Sequence, residues 1–198
     1  MTLLIVDHHH IVADSYATQF DGQDTQVFDD FPKIHTLPLR LEFTYTGERL
    51  ISHNHLAFCG DANTFMAIWE EVVAHPPRTV DELVDIVSRW MGDIQLVIPF
   101  PAAVVVITST DTGFDVTYRE GEVFAFGDGY VGEDPYNESR AWFTILQESI
   151  TAGRLPGNQF HQAYHQSTCE IVHGEFIMID MAKLRRRRTP WNKTQVKR

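Results

Sequence analysis

Strand-like and helix-like stretches occur in separate groups along this sequence, and the grouping constrains the fold more than any other feature. Residues 56–59 form a short apolar run that is typical of a strand and ends at Gly60. From Asp61 onward the apolar residues recur at helical spacing instead. The overall order is strands, two helices, strands, two helices and a final strand. Such grouping favours an α+β fold, with two antiparallel sheets packed face to face and helices outside, over a doubly wound parallel sheet.

The individual elements are predicted from these periods and from flanking turn and cap residues. The chain opens with a hairpin of two strands, 2–6 and 11–15, joined by a tight turn at 7–10, and Asp61 and Thr79 are predicted helix N-caps. The other predictions are an irregular stretch to about residue 30, strands near 32–37, 56–59, 103–109, 114–119, 122–126 and 175–180, and helices at about 61–75, 79–91, 137–150 and 159–171. The buried stripes are predicted to be Phe65, Ile68, Trp69, Val72 and Val73 in the first helix, and Leu83, Ile86, Val87 and Trp90 in the second.

Charge is distributed unevenly along the chain. All 27 acidic residues precede Lys183, and eight of the 16 basic residues lie at or after it, so residues 1–182 carry a net charge of −19 and residues 183–198 carry +8. A chain of 198 residues with 43% hydrophobic content is long enough for one buried core. We expect a single domain over 1–182 and a basic C-terminal arm over 183–198. The arm is predicted to dock on nucleic acid or on the acidic flank of a neighbouring subunit, and a solvated tail is the alternative.

Cysteine use and hydropathy indicate the compartment. Cys59 and Cys169 lie in apolar or helical contexts rather than in spaced pairs, so a disulfide framework is not expected. No apolar stretch approaches the roughly 18 residues of a membrane span, and no basic segment leads into an apolar run at the N-terminus. We therefore expect no membrane association, and cytoplasmic synthesis and residence.

Three short motifs in the first third of the chain resemble one known family. The motifs are Asp14-Ser15-x-Ala17-Thr18, Lys33-Ile34, and Leu56-Ala57-Phe58-Cys59-Gly60-Asp61-Ala62. They resemble the proteasome β-subunit and HslV branch of the N-terminal nucleophile (Ntn) hydrolases, with motifs over about residues 2–75 and similar element order to about 180. The resemblance implies a four-layer αββα sandwich, self-assembly into homo-oligomeric rings, and peptide-bond hydrolysis by an N-terminal threonine.

The resemblance also implies roles for individual residues. Thr2, once Met1 is removed, would act as nucleophile and base; Asp14 and Lys33 would form a charged support beneath it; and the backbone N–H of Gly60 would bind the oxyanion. Asp128 would accept a hydrogen bond from the threonine amine, because Gly127-Asp128-Gly129 stands where relatives have Gly-Ser-Gly. For a second supporting aspartate and serine the candidates are Ser167 and Thr168.

The chemistry of an N-terminal threonine is plausible independently of the family. Its hydroxyl is a poor nucleophile alone, but an α-amine that titrates near pH 8 can take the hydroxyl proton. A lysine beside this pair would lower the proton affinity of the amine and favour the reactive form.

The spacing from Thr2 to Asp14 predicts the register of the first hairpin. Relatives carry about four more residues between these two positions, and loss of two residues from each arm would preserve both the cross-strand partner and the face. The sequence therefore predicts that Thr2 pairs with Asp14, with the turn centred at His8.

Histidines raise the alternative of a metal site. His161 and His165 stand at helical spacing, His53 and His55 flank one residue, and residues 8–10 form a histidine run. None has the adjacent glutamate of a zinc peptidase helix, so we expect histidines exposed or satisfied in the core, and no metal or other cofactor.

Two functions follow from these observations. The first is a threonine-type peptidase that cleaves peptide bonds inside an oligomeric assembly. The second is a catalytically silent structural or assembly subunit with the same fold, for example a component of a virus particle assembled in the cytoplasm, in which Met1 is retained. The two are distinguished by the state of the Thr2 amine, which only the peptidase requires to be free.

Overall fold

A computed structural model describes residues 4–7, 10–15, 17–20, 25–28, 31–101, 103–121, 123–126, 176–181 and 185–189. In chain order the elements are β1 (Leu4–Asp7), β2 (His10–Asp14), β3 (Ala17–Phe20), β4 (Thr25–Phe28), β5 (Ile34–Thr36), β6 (Glu42–Tyr45), β7 (Glu48–Ile51), β8 (His55–Gly60), α1 (Ala62–Ala74), α2 (Val80–Val87), β9 (Ile94–Phe100), β10 (Ala103–Thr110), β11 (Gly113–Glu120), β12 (Val123–Phe126), β13 (Phe176–Asp180) and β14 (Arg185–Thr189). The helices predicted at 137–150 and 159–171 lie outside the described residues.

The chain divides into two compact units. The central unit comprises residues 33–122, and the terminal unit combines residues 1–32 with 123–198. Each unit contains one five-stranded sheet in which every pairing is antiparallel. Two antiparallel sheets together with helices confirm the predicted α+β class.

The sheet of the terminal unit joins the two ends of the chain. Its strand order is β12-β1-β2-β13-β14, so the predicted N-terminal hairpin lies between strands from the second half of the sequence. Residues on both faces of this hairpin are buried, including Leu4 and Val6 on β1 and Ile11, Val12 and Ala13 on β2. β3 and β4 form a separate hairpin in the stretch predicted to be irregular, so that prediction is wrong.

The basic segment contributes a strand to this sheet. Arg185–Thr189 forms β14, which pairs along its whole length with Phe176–Asp180 of β13. The predicted arm 183–198 therefore starts inside the sheet.

The sheet of the central unit has the order β11-β10-β9-β8-β5. Successive residues of β8, β9 and the first part of β10 are buried, so these strands are covered on both faces. Helix α1 packs on one face, where the rings of Phe58 on β8 and Phe65 on α1 stack with their centroids 3.8 Å apart. A second hairpin, β6–β7, lies over the same face. The ring centroids of Phe43 on β6 and Phe100 on β9 are 6.1 Å apart. β6, β7 and β9 are absent from the elements predicted from sequence.

Both helices of the central unit begin at the predicted caps. Asp61 Oδ1 accepts a hydrogen bond from the Thr64 N–H at 2.6 Å, and Thr79 Oγ1 accepts one from the Glu82 N–H at 3.1 Å. Helix α2 ends at Val87, earlier than predicted, so Trp90 lies beyond the helix and is 36% exposed.

The predicted apolar stripe of α1 is only partly buried. Phe65, Ile68 and Val72 point into the core, whereas Val73 is 53% exposed.

Within the described part of the chain, no helix is long and apolar enough to cross a membrane.

Candidate functional site

Asp14 and Ser15 lie at the end of β2 and are both buried, with 1% and 0% of their surface exposed. Asp14 pairs across the ladder with Phe176 of β13, and the Ser15 carbonyl accepts a hydrogen bond from the Phe31 N–H at 2.7 Å. Asp14 and Ser15 each make a further polar or electrostatic interaction. A carboxylate at this depth needs compensating partners, because an isolated buried charge is strongly unfavourable.

The register of the first hairpin differs from the prediction by one residue. The pairing of Thr2 with Asp14 requires Leu4 to face Val12, but Leu4 faces Ala13, and Val6 faces Ile11. The three pairs between β1 and β2 are symmetric about the point between residues 8 and 9 instead of about His8. Because side chains alternate along a strand, this shift changes which residues share a face. Asp14 lies on the face of the odd-numbered β1 residues, and the predicted register is wrong.

Lys33 immediately precedes β5 and is also buried, with 2% of its surface exposed. Its carbonyl accepts a hydrogen bond from the Phe58 N–H of β8 at 3.1 Å, which fixes this end of β5 against the sheet. Lysine is almost never buried unless its ammonium group is paired, and Lys33 does interact with partners. Among the residues whose side-chain burial is described, Lys33 and Asp14 are the two Asp, Glu, Lys or Arg side chains that are buried.

Gly60 occupies the last position of β8 with a backbone φ of 107°, a conformation that other residues rarely adopt. A Cβ atom at this position would lie 2.2 Å from the Asp93 carbonyl oxygen. The same carbonyl accepts a hydrogen bond from the Asp61 N–H at 2.7 Å, and this bond holds the start of α1 against β9. Glycine is therefore required here by both backbone conformation and close approach.

The hydrogen-bond pattern of β8 sets the direction of the Gly60 N–H. Phe58 donates its N–H to the Lys33 carbonyl, and alternation along β8 directs the N–H of Gly60, two residues later, to the same side of the strand. The Gly60 N–H thus points to the side of β8 on which Lys33 lies. It is two residues beyond Phe58, which bonds to the Lys33 carbonyl. This is a suitable position for a backbone donor to a substrate oxygen.

The predicted site residues are thus only partly brought together by the described structure. Lys33 and Gly60 lie on neighbouring strands at the same end of the central sheet. Asp14 lies in the terminal unit. Thr2 and Asp128 lie outside the described residues, as do the further candidates Ser167 and Thr168.

His35 is the centre of an aromatic cluster that sequence reasoning missed. Its ring lies 4.8 Å from that of Phe65, 4.6 Å from that of Trp69 and 6.4 Å from that of Phe58. The available signal was the alternation along β5, which places residues 33 and 35 on one face of the strand. This cluster packs α1 on the sheet beside Lys33.

Only some of the histidines considered as metal ligands belong to the described residues. His8, His9, His161 and His165 lie outside it, whereas His53 and His55 lie within the central unit. Among the described residues, no three His, Cys, Asp or Glu side chains are grouped so that they could hold a metal ion.

His55, at the start of β8, is 3% exposed, and its Nδ1 atom has no hydrogen-bond partner among the described residues. Burial lowers the pKa of His55 below its ordinary value of 6.5, and the charge of His53 lowers it further. The unfolded chain therefore takes up a proton at a pH where the folded chain does not. Neutral His55 therefore contributes its full share to the free energy of unfolding above about pH 6.5. This stabilisation is lost as the pH falls below that value, because the unfolded chain is protonated first.

We expect the wild-type free energy of unfolding to fall more than that of His55→Gln between about pH 7.5 and pH 5.5, because burial lowers the pKa of His55 in the folded chain. Urea titrations at the two pH values measure this difference. The exposed His75→Gln is the matched control and should retain the wild-type pH dependence. An equal loss in His55→Gln and wild type would contradict the prediction.

Comparisons with known proteins do not assign a family or a function to this chain. No protein-family model matches the sequence, and no curated protein matches it. We therefore infer the function from the burial of Asp14 and Lys33 and from the backbone at Gly60.

Proposed function

We propose that this protein is an N-terminal threonine peptidase of the Ntn hydrolase type, which hydrolyses peptide bonds within an oligomeric assembly. One observation supports the proposal most. The sequence motifs single out Asp14 and Lys33 as the charged support of a nucleophile, and both side chains are buried, with 1% and 2% of their surface exposed. Aspartate and lysine are rarely buried, and ionisable groups in buried positions are frequent at functional sites.

In the proposed reaction, the Thr2 hydroxyl oxygen attacks the carbonyl carbon of a peptide bond and its proton passes to the Thr2 α-amine. The Gly60 N–H donates a hydrogen bond to the oxyanion that forms. The amine then protonates the leaving nitrogen as the C–N bond breaks, which leaves an ester on Thr2. Water then attacks the ester carbonyl and gives a proton to the α-amine. The amine passes this proton to the Thr2 oxygen as the ester C–O bond breaks, which restores the free threonine.

The two charged residues have distinct roles in the proposal. The ammonium group of Lys33 lowers the proton affinity of the α-amine, so that the amine is neutral and able to accept the hydroxyl proton. Asp14 orients that lysine, and Asp128 accepts a hydrogen bond from the amine. No metal or other cofactor takes part in this scheme.

The proposal includes the four-layer αββα arrangement. It is supported by the burial of β8 and β9 on both faces, while α1, α2 and the β6–β7 hairpin account for one face only within the central unit. A second sheet is the simplest cover for the remaining face.

The second candidate function is a catalytically silent assembly subunit of the same fold, such as a component of a particle assembled in the cytoplasm. The register of the first hairpin favours it, because Asp14 shares a face with the odd-numbered residues of β1 instead of the even-numbered ones that the catalytic pairing requires. Such a subunit would self-assemble through its sheets and basic segment without any free threonine.

The test compares two forms of the same chain. In one, a cleavable N-terminal fusion is removed so that Thr2 becomes the first residue; in the other, Met1 is retained. We expect hydrolysis of fluorogenic peptide amides only by the first form, because only there is the α-amine available as base. Equal turnover by both forms would exclude Thr2 as nucleophile, and assembly without turnover by either would support the silent subunit.

A further inference from the structure

Two strands at open sheet edges differ sharply in charge. β14, with four consecutive arginines, ends the sheet of the terminal unit, and β11 ends that of the central unit. Among the described strands each has one neighbour, β13 and β10 respectively. An open edge carries backbone groups able to pair with another strand, so long edges require either protection or a partner.

A partly exposed aromatic cluster joins β11 to β6. The ring of Tyr118 lies 4.0 Å from that of Tyr45 and 5.8 Å from that of Phe43, both on β6. Tyr45 is 39% exposed, and Val116 on β11 is 43% exposed. We name Phe43, Tyr45 and Tyr118 the aromatic platform.

Two carboxylates border the aromatic platform. Glu48 is the cross-strand partner of Tyr45 in the β6–β7 hairpin, and Glu120 follows Tyr118 by two residues on β11, so each carboxylate shares a face with a platform tyrosine. In keeping with this placement, burial raises the pKa of Tyr118, and Glu120, Tyr45 and Glu48 raise it further. Glu48 and Glu120 are exposed. Aromatic faces bordered by carboxylates attract guanidinium groups through cation–π contacts and charge-assisted hydrogen bonds.

We propose that β14 of one copy of this chain adds as a strand to the edge of β11 in a second copy, and that alternate arginines, which share one face of β14, are bound by the aromatic platform, Glu48 and Glu120. Backbone pairing supplies the contact along the strands, and the opposite charges select the partner edge.

Charge favours the β11 edge of a second copy over two other partners for β14, namely a second β14 and nucleic acid. Pairing of β14 with a second β14 would set arginines opposite arginines, which is unfavourable. Nucleic acid would meet the −19 charge of residues 1–182, whereas a second copy presents that charge as a complement to β14. The two edges belong to different surfaces, so the contact is head-to-tail and propagates to a ring or to an open chain. This inference concerns assembly and does not rest on the peptidase activity.

The test is a charge exchange on the full chain. One variant carries Glu48→Lys with Glu120→Lys, and the other carries Arg186→Glu with Arg188→Glu. Sedimentation velocity over a range of concentrations should show self-association of wild type and a weakening of about tenfold or more in each variant alone. An equimolar mixture of the two variants should associate again, because their charges are complementary.

The control matches the change in charge on a different surface. Glu70→Lys with Asp85→Lys alters two exposed carboxylates on the two helices and should associate as wild type does. A monomeric wild type, equal weakening in this control, or a mixture that stays dissociated while both variants keep the wild-type circular dichroism would overturn the proposal. It would also be overturned if the arginine variant lost binding to a labelled oligonucleotide while self-association was unchanged.

Discussion

Replacement of Thr2 by alanine is expected to lower peptide-amide turnover by about 10⁴-fold in the form whose first residue is Thr2. The substitution removes the attacking oxygen while the α-amine, the buried Lys33 and the Gly60 N–H remain. In the proposed mechanism the ester forms on the Thr2 oxygen, so the loss should fall on kcat and leave folding unchanged.

Two variants distinguish loss of the nucleophile from general damage. Thr2→Ser keeps a hydroxyl next to the amine and should retain most of the turnover, whereas the exposed Thr44→Ala should match wild type. Incubation with a sulfonyl fluoride followed by intact-mass measurement should show one adduct on wild type and on Thr2→Ser, and none on Thr2→Ala. Turnover by Thr2→Ala close to that of wild type would exclude the proposed mechanism.

Replacement of Gly60 by alanine is expected to destabilise the fold by about 4 kcal/mol, through a strained backbone and a clash that the sheet cannot relieve. The new Cβ would lie 2.2 Å from the Asp93 carbonyl oxygen, and the neighbouring Asp61 N–H bonds to that oxygen. Movement of Asp93 would therefore break the link between β9 and the start of α1. Chemical denaturation measures the loss, and a variant that does not fold satisfies the same expectation.

Gly47 provides a matched control for the conformational part of this effect. Its φ is 87°, and a Cβ there would meet no atom within 4 Å. Gly47→Ala should therefore cost only about 1–2 kcal/mol, the strain of a left-handed residue. Equal losses at Gly47 and Gly60 would show that the close approach to Asp93 contributes nothing.

Local signals in the sequence were sufficient for the elements that carry strong periods and caps. Asp61 and Thr79 cap α1 and α2 as predicted, and the strands around them begin within about two residues of the expected positions. Asp14 and Lys33, which the motifs single out, are both buried, and their role as a support for a nucleophile stays a prediction.

The missed strands differ in how much local signal they carry. β9 spans residues 94–100 with few polar residues and includes Pro99, so it neither alternates nor resembles an ordinary strand, and its identity comes from the strands on each side. The β6–β7 hairpin had a signal that went unused. Thr46 and Gly47, with φ values of 48° and 87°, form the positive-φ turn typical of a two-residue hairpin loop.

The register of the first hairpin could not be deduced from spacing alone. A change of one residue in the turn moves every side chain of a strand to the other face, and three consecutive histidines give no preference for one turn over another. The buried residues on both faces of β2 explain why hydrophobic alternation did not resolve the choice.

The composition of the terminal sheet has a consequence for the order of folding during synthesis. β2 pairs with β13, whose residues emerge from the ribosome more than 150 positions later, whereas the sheet of the central unit is built from the continuous segment 33–122. The central unit can therefore fold while the rest of the chain is being made. The N-terminal hairpin must wait with one edge unpaired until Phe176–Asp180 has been translated, and during that interval it is exposed to pairing with other chains.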